Sequence, residues 1–135
     1  YKRLDRFTNG LNYYLGTLVF NLFPLPQRES GAREALRYAG SLTADGYSIL
    51  IFPEGRRTDA GEIGKFQAGV GMLALRLGIP VVPVRLTGLD RVLHKDSRFA
   101  KPTRAGVSFG IPIQPTSSDP GGIAKQIEDA VRALV

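Results

Sequence analysis

Two short apolar runs separated by one helical segment constrain the fold more than any other feature of this sequence. Tyr47-Ser48-Ile49-Leu50-Ile51-Phe52 ends at Pro53 and Gly55, and Val81-Val82-Pro83-Val84-Arg85-Leu86 follows Gly78 and Pro80. Both runs have the length and apolar content of a buried strand, and β-branched residues recur in each. Between them, Phe66 to Leu77 has the spacing of a helix, closed by Gly78 and broken by Pro80. Strand, loop, helix and strand in this order predict a βαβ unit, whose crossover is right-handed and whose strands are parallel. Pro83 has no N–H to give to a ladder, so it predicts an interruption or a bulge in the second run.

The flanking sequence extends this pattern. Ala32, Leu36, Ala39 and Leu42 recur at helical spacing until Gly46, and Val107 to Phe109 has the character of another strand. Pro115 to Gly122 reads as a loop, and Ile123, Ile127, Ala130 and Leu134 mark an amphipathic C-terminal helix. The most apolar stretch, Leu11 to Leu25, is interrupted by Asn12, Asn21 and Pro24. It falls short of the roughly 20 apolar residues that span a bilayer. Two readings stand for it: a buried core helix, or a helix in the membrane interface anchored by Tyr13, Tyr14, Phe20 and Phe23. No repeat or linker divides the sequence, so residues 1–135 are expected to form one domain. Its expected class is α/β, a mostly parallel sheet with flanking helices, with functional groups in loops beyond the carboxyl ends of the strands.

Composition narrows the chemistry. Eighteen Lys and Arg against 12 Asp and Glu leave a net charge of +6, which favours anionic partners such as nucleic acid, lipid headgroups or phosphorylated substrates. No cysteine is present, which excludes disulfides and thiolate chemistry, and the single histidine, His94, leaves little from which to build a zinc site. Gly64-Lys65 is not a P-loop, because Phe66 follows the lysine and Asp59 stands where the first glycine belongs. Gly69-Val70-Gly71 is not a dinucleotide fingerprint, since Ala74 replaces its third glycine. No bound cofactor and no metal are expected.

The loop after the first apolar run, Phe52-Pro53-Glu54-Gly55-Arg56-Arg57-Thr58, concentrates the useful residue types. Gly55 permits a sharp turn and a close approach of backbone to ligand. Arg56 and Arg57 supply permanently charged forks matched to phosphate oxygens. Glu54 can orient an arginine or accept a hydroxyl hydrogen bond, and Lys65 adds a point charge from the start of the next helix. An anion site for a phosphate monoester accounts for this set. A solvated turn whose Glu54 and arginines pair with one another, at about 0–1 kcal/mol per pair, accounts for it equally well on charge and glycine alone.

This loop resembles the FPEGTRS block of the glycerolipid acyltransferases, the group that contains the 1-acylglycerol-3-phosphate acyltransferases. The likeness continues through Gly64-Lys65-Phe66-Gln67-Ala68-Gly69, similar to the family's F-K-x-G, and through Gly78-Ile79-Pro80-Val81-Val82-Pro83-Val84, similar to its I-P-V-V-P-V block. Upstream, Phe23-Pro24-Leu25-Pro26-Gln27-Arg28 sits where the family keeps an arginine-bearing block, and LTGLDRVLH from Leu86 resembles acyltransferase domains fused to acyl-activating enzymes. Three ordered blocks between residues 20 and 113 are far more specific than any one of them.

The resemblance implies transfer of a fatty acyl group from an acyl thioester, acyl-CoA or acyl carrier protein, to a hydroxyl of a lysophospholipid or glycerol phosphate in phospholipid synthesis. Arg28, Glu54, Gly55, Arg56, Arg57 and Lys65 would hold the acceptor phosphate, with Arg56 at the position usually held by threonine. Val82, Pro83 and Val84 would shape the apolar side near the acyl chain. The family's substrates, with the basic charge, imply work at an anionic membrane surface on the cytoplasmic face. The family's general base, a histidine with an aspartate five positions on, has no counterpart here: no histidine precedes His94, and Phe99 stands five positions after it. The pair is expected upstream of Tyr1, so the domain is expected to be truncated at its N-terminus and residues 1–135 alone to be inactive. A lipid-phosphate binder without chemistry is the alternative. A basic nucleic-acid-binding module is a weaker one, because no nucleic-acid motif accompanies the charge.

Overall fold

The structure, a computed structural model, describes residues 18–19, 29–56, 62–92 and 101–135. The chain divides into two compact units, Tyr1–Gly46 and Tyr47–Val135. Within the first, helix α1 (Glu29–Ala44) runs through the expected apolar spacing, with Ala35 and Ala39 buried and Leu36 and Leu42 half-buried. Its last turn is closed locally. The Thr43 hydroxyl donates back to the carbonyls of Ala39 and Gly40, and the N–H groups of Asp45 and Gly46 donate to Ser41 and Thr43.

The second unit is built around two helices, α2 (Ala68–Leu77) and α4 (Pro120–Ala133). Phe66, Ala74, Ile123, Ile127 and Val131 form its core, with Ile63, Val70, Leu75, Val81 and Ile113 packed against them. Helix α2 ends at Gly78, whose φ of 63° is the left-handed conformation that lets its N–H return to the Ala74 carbonyl. Helix α4 begins at Asp119, whose carboxylate accepts from the N–H groups of Gly121 and Gly122, while Pro120 takes the first helical position, where its missing N–H is harmless. The helix therefore starts earlier than its apolar pattern suggests and includes Gly121 and Gly122. Asp119→Ala is expected to cost about 1 kcal/mol, read as a lower midpoint in urea with an unchanged slope.

Strand β1 (Val84–Thr87) pairs antiparallel with β2 (Gly106–Phe109), Val84 opposite Phe109 and Leu86 opposite Val107; the short helix α3 (Leu89–Val92) follows β1. The strand expected over Val107 to Phe109 is therefore present. Pro83 interrupts the second apolar run as expected. Val81 and Ile113 exchange two backbone hydrogen bonds ahead of it, and the Pro83 carbonyl accepts from Gly110. One face of this ribbon is tied to the end of α4, because Arg85 donates to the carbonyls of Leu134 and Arg132 and Ser108 donates to Val135.

The parallel sheet expected from the two apolar runs is not formed among the described residues. Residues 47–52 are extended but lie in no ladder, and Leu50 and Phe52 are 76% and 65% exposed rather than buried. The reason lies in the second run. Its described ladder partner is the segment 106–113, in antiparallel register, while Pro83 has no N–H with which to extend a ladder. Among the described residues, no helix is long and apolar enough to cross a membrane. The expectations for Tyr13, Tyr14, Phe20 and Phe23 lie outside the described residues.

Candidate functional site

The loop that carries the motif is a tight turn braced at both ends. Gly55 has φ of 68°, and its N–H donates to the Phe52 carbonyl at 3.3 Å. Any L side chain at this position would be strained in the left-handed region, although an added Cβ would meet only Gln67 Cγ, at an ordinary contact distance of 3.8 Å. The Pro53 carbonyl accepts from the N–H of Gln67, the residue that precedes α2. Glu54 reaches across the loop, and its Oε2 accepts from the N–H of Gly64 at 2.6 Å. The carboxylate thus holds the backbone ten residues further on, a role that its proximity to two arginines in sequence does not disclose.

These two contacts join the turn at residues 53–56 to the segment 64–67. Arg56 belongs to one of the joined segments and Lys65 to the other; both are exposed, and neither makes a hydrogen bond or ion pair among the described residues. Helix α2 begins immediately beyond. Gln67 provides no side-chain cap, so the first N–H groups of α2 and the positive end of its dipole lie beside the same junction. Of the expected phosphate-binding residues, Glu54, Gly55, Arg56 and Lys65 are brought together in this way; Arg28 and Arg57 lie outside the described residues, as does His94. Pro83 is fully buried against Gly110 and serves the packing of the ribbon, while Val82 is exposed and Val84 half-buried.

Two further residues act on the junction from α4. Glu128 is buried, and its carboxylate accepts from the N–H of Phe66 at 2.9 Å and from Arg132 Nε at 3.0 Å. Arg132 also donates to the carbonyl of Ile63 at 2.7 Å and to that of Gly64 at 3.4 Å. Sequence reasoning passed over both residues. The signal was a glutamate on the apolar face of the last helix, between Ile127 and Val131, with an arginine four residues on to pair with it. The Phe66 N–H first, and then Arg132, hold the Glu128 carboxyl below the usual range, against the opposing effect of burial. A carboxyl lowered in the folded state contributes stability above its unfolded value and loses that contribution as pH falls through the folded value. Melting temperature is therefore expected to fall as pH drops from about 5, and Glu128→Gln is expected to flatten the profile in thermal melts run across that range.

Arg85 and Arg132, with Glu62 and Ile63, line an open cleft of about 360 Å³, but both arginines there are already engaged by carbonyl oxygens. Among the described residues, no cluster of His, Cys, Asp or Glu is arranged to hold a metal ion.

A sequence model described as Acyltransferase matches residues 5–87. The chain is 35% identical over 80 residues to a chloroplastic 1-acyl-sn-glycerol-3-phosphate acyltransferase, BAT2, of Brassica napus, covering 58% of this chain and 23% of that protein. It is 33% identical over 86 residues to a 1-acyl-sn-glycerol-3-phosphate acyltransferase of Cocos nucifera, covering 63% of this chain and 28% of that one. Among solved structures, the 1-acyl-sn-glycerophosphate (LPA) acyltransferase PlsC from Thermotoga maritima superimposes with a TM-score of 0.66 at 28% identity, over 72% of this chain and 42% of that one. The chain therefore spans about a quarter of the curated relatives and two fifths of the solved one.

Proposed function

Because this chain belongs to the acyltransferase family, we propose that it carries the acceptor-phosphate half of a site that acylates a lysophospholipid or glycerol phosphate. The acceptor hydroxyl attacks the carbonyl carbon of an acyl thioester. An ester C–O bond forms, the C–S bond breaks, and the thiol of coenzyme A or of acyl carrier protein leaves with the proton lost by the hydroxyl. The family's histidine–aspartate pair has no counterpart before His94, so proton abstraction falls to a histidine supplied from outside these 135 residues.

The observation that carries this reading is the 2.6 Å hydrogen bond from Gly64 to Glu54, which joins the segments bearing Arg56 and Lys65 at the start of α2. Two exposed cations beside a helix N-terminus favour a phosphate monoester electrostatically, and the adjacent backbone N–H groups favour it by hydrogen bonding. Arg57 and Arg28 are proposed as further phosphate ligands, and Val82 and Val84, on either side of the buried Pro83, as the apolar side. The net charge of +6 favours an anionic membrane surface, on the cytoplasmic face, as the place where the lipid acceptor is met.

Titration calorimetry tests this reading. Lysophosphatidate is expected to bind and monoacylglycerol of the same chain length is not, because only the former presents a phosphate. Equal binding of the two lipids would remove the phosphate site. Retention on RNA, but not on anionic vesicles at matched salt, would favour the nucleic-acid alternative.

A further inference from the structure

The last helix lies far from the motif in sequence, yet its buried Glu128 and the exposed Arg132 paired with it both hydrogen-bond the segment that carries Lys65. We propose that Glu128 and Arg132 are positioning residues of the acceptor-phosphate site. From α4 they hold residues 63–66, and with them Lys65, in the register that lets Gly64 engage Glu54. The proposal rests on the phosphate-site reading above and adds to it the residues that fix the site's geometry.

The hydrogen bonds form one continuous path. Glu128 Oε2 accepts from Phe66 N–H, Glu128 Oε1 accepts from Arg132 Nε, and an Arg132 terminal nitrogen donates to the carbonyls of Ile63 and Gly64. The Gly64 N–H then donates to Glu54. Gly64 is thus gripped on both sides of its residue, by Arg132 at the carbonyl and by Glu54 at the N–H, and Phe66 is gripped at its N–H. Lys65, between them, is left with an exposed side chain on a backbone fixed at both neighbours. A lysine is a point charge on a flexible stem, so its placement against a phosphate depends on the backbone that carries it.

Apolar packing alone does not account for this arrangement. Position 128 faces the core among Ile123, Ile127 and Val131, where an aliphatic residue would bury more apolar surface without the desolvation cost of a carboxylate. A carboxylate there satisfies the otherwise buried Phe66 N–H and recruits Arg132. Holding a recognition segment in this way is how a distant helix determines the geometry of a binding loop.

The test uses the protein at its native length and reads the lysophosphatidate dissociation constant together with the steady-state constants for its acylation. Glu128→Gln and Arg132→Met are each expected to weaken binding and raise the acceptor KM roughly tenfold, with kcat little changed, since neither residue touches the reacting atoms. Arg132→Lys is expected to recover part of the loss by keeping one donor. Asp119→Ala, which weakens the same helix at its other end, is expected to lower stability and leave the dissociation constant at the wild-type value. Wild-type affinity in both Glu128→Gln and Arg132→Met would overturn the positioning role, as would an equal loss in Asp119→Ala. A wild-type protein that binds no lysophosphatidate would instead overturn the phosphate-site reading and this inference with it.

Discussion

Gly71→Ala is expected to disrupt the second unit more than any other single methyl addition described here. A Cβ at Gly71 would sit 2.0 Å from the Pro120 carbonyl oxygen, 2.9 Å from its carbon and 3.0 Å from the Ala124 nitrogen. All three are backbone atoms of the first turn of α4, so no side chain can swing aside, and α2 and α4 must separate. Those two helices form most of the core, through Ala74 on one and Ile123, Ile127 and Val131 on the other. Overpacking of a fitted core costs about 1–3 kcal/mol, and contact with rigid backbone puts this substitution at the upper end. The melting temperature should drop by on the order of 10 °C. Gly69→Ala is the control. It lies two residues earlier on the same helix with nothing within 4 Å of its added methyl group, and the better helix propensity should stabilise by about 0.5–1 kcal/mol. Thermal melts of the two variants should therefore move in opposite directions.

Substitution of the basic residues at the motif should act on affinity and leave stability alone. Arg57→Ala is expected to abolish lysophosphatidate binding. Arg56→Ala and Lys65→Ala are each expected to weaken it by roughly ten- to a hundredfold, the equivalent of one hydrogen bond between charged groups. Arg56 and Lys65 are exposed and make no ion pair among the described residues, so their removal should change stability by less than about 0.5 kcal/mol. Affinity and its salt dependence are read by calorimetry, and stability by urea denaturation of the same samples. If Arg56 and Lys65 belong instead to a solvated turn, neither alanine variant will change the affinity.

What the sequence disclosed were the features encoded locally. The turn at Pro53 and Gly55 and the end of α2 at Gly78 follow from the backbone freedom of glycine, the break at Pro83 follows from its missing N–H, and each is present. Strand pairing is not encoded in this way. The run at residues 47–52 has the composition of a buried strand, but its burial depends on a neighbour that no local residue specifies, and among the described residues the second run pairs with residues 106–113. The site divides along the same line. Gly55, Arg56 and Lys65 announce themselves by residue type, whereas the function of Glu54 depends on Gly64, and Phe66 meets Glu128 across 62 residues of sequence. An acidic residue within an apolar stripe was the one visible trace of that contact.

Whether these residues hold the acceptor in an acyl transfer is read from the release of free thiol from an acyl thioester by the protein at its native length. Thiol release is expected to depend on lysophosphatidate, to yield a diacyl product in equal amount and to be lost in Arg57→Ala. Tight lysophosphatidate binding with no thiol release, or release that is indifferent to Arg57→Ala, would overturn that assignment. The first of these results would leave a phosphate-binding fold without its chemistry.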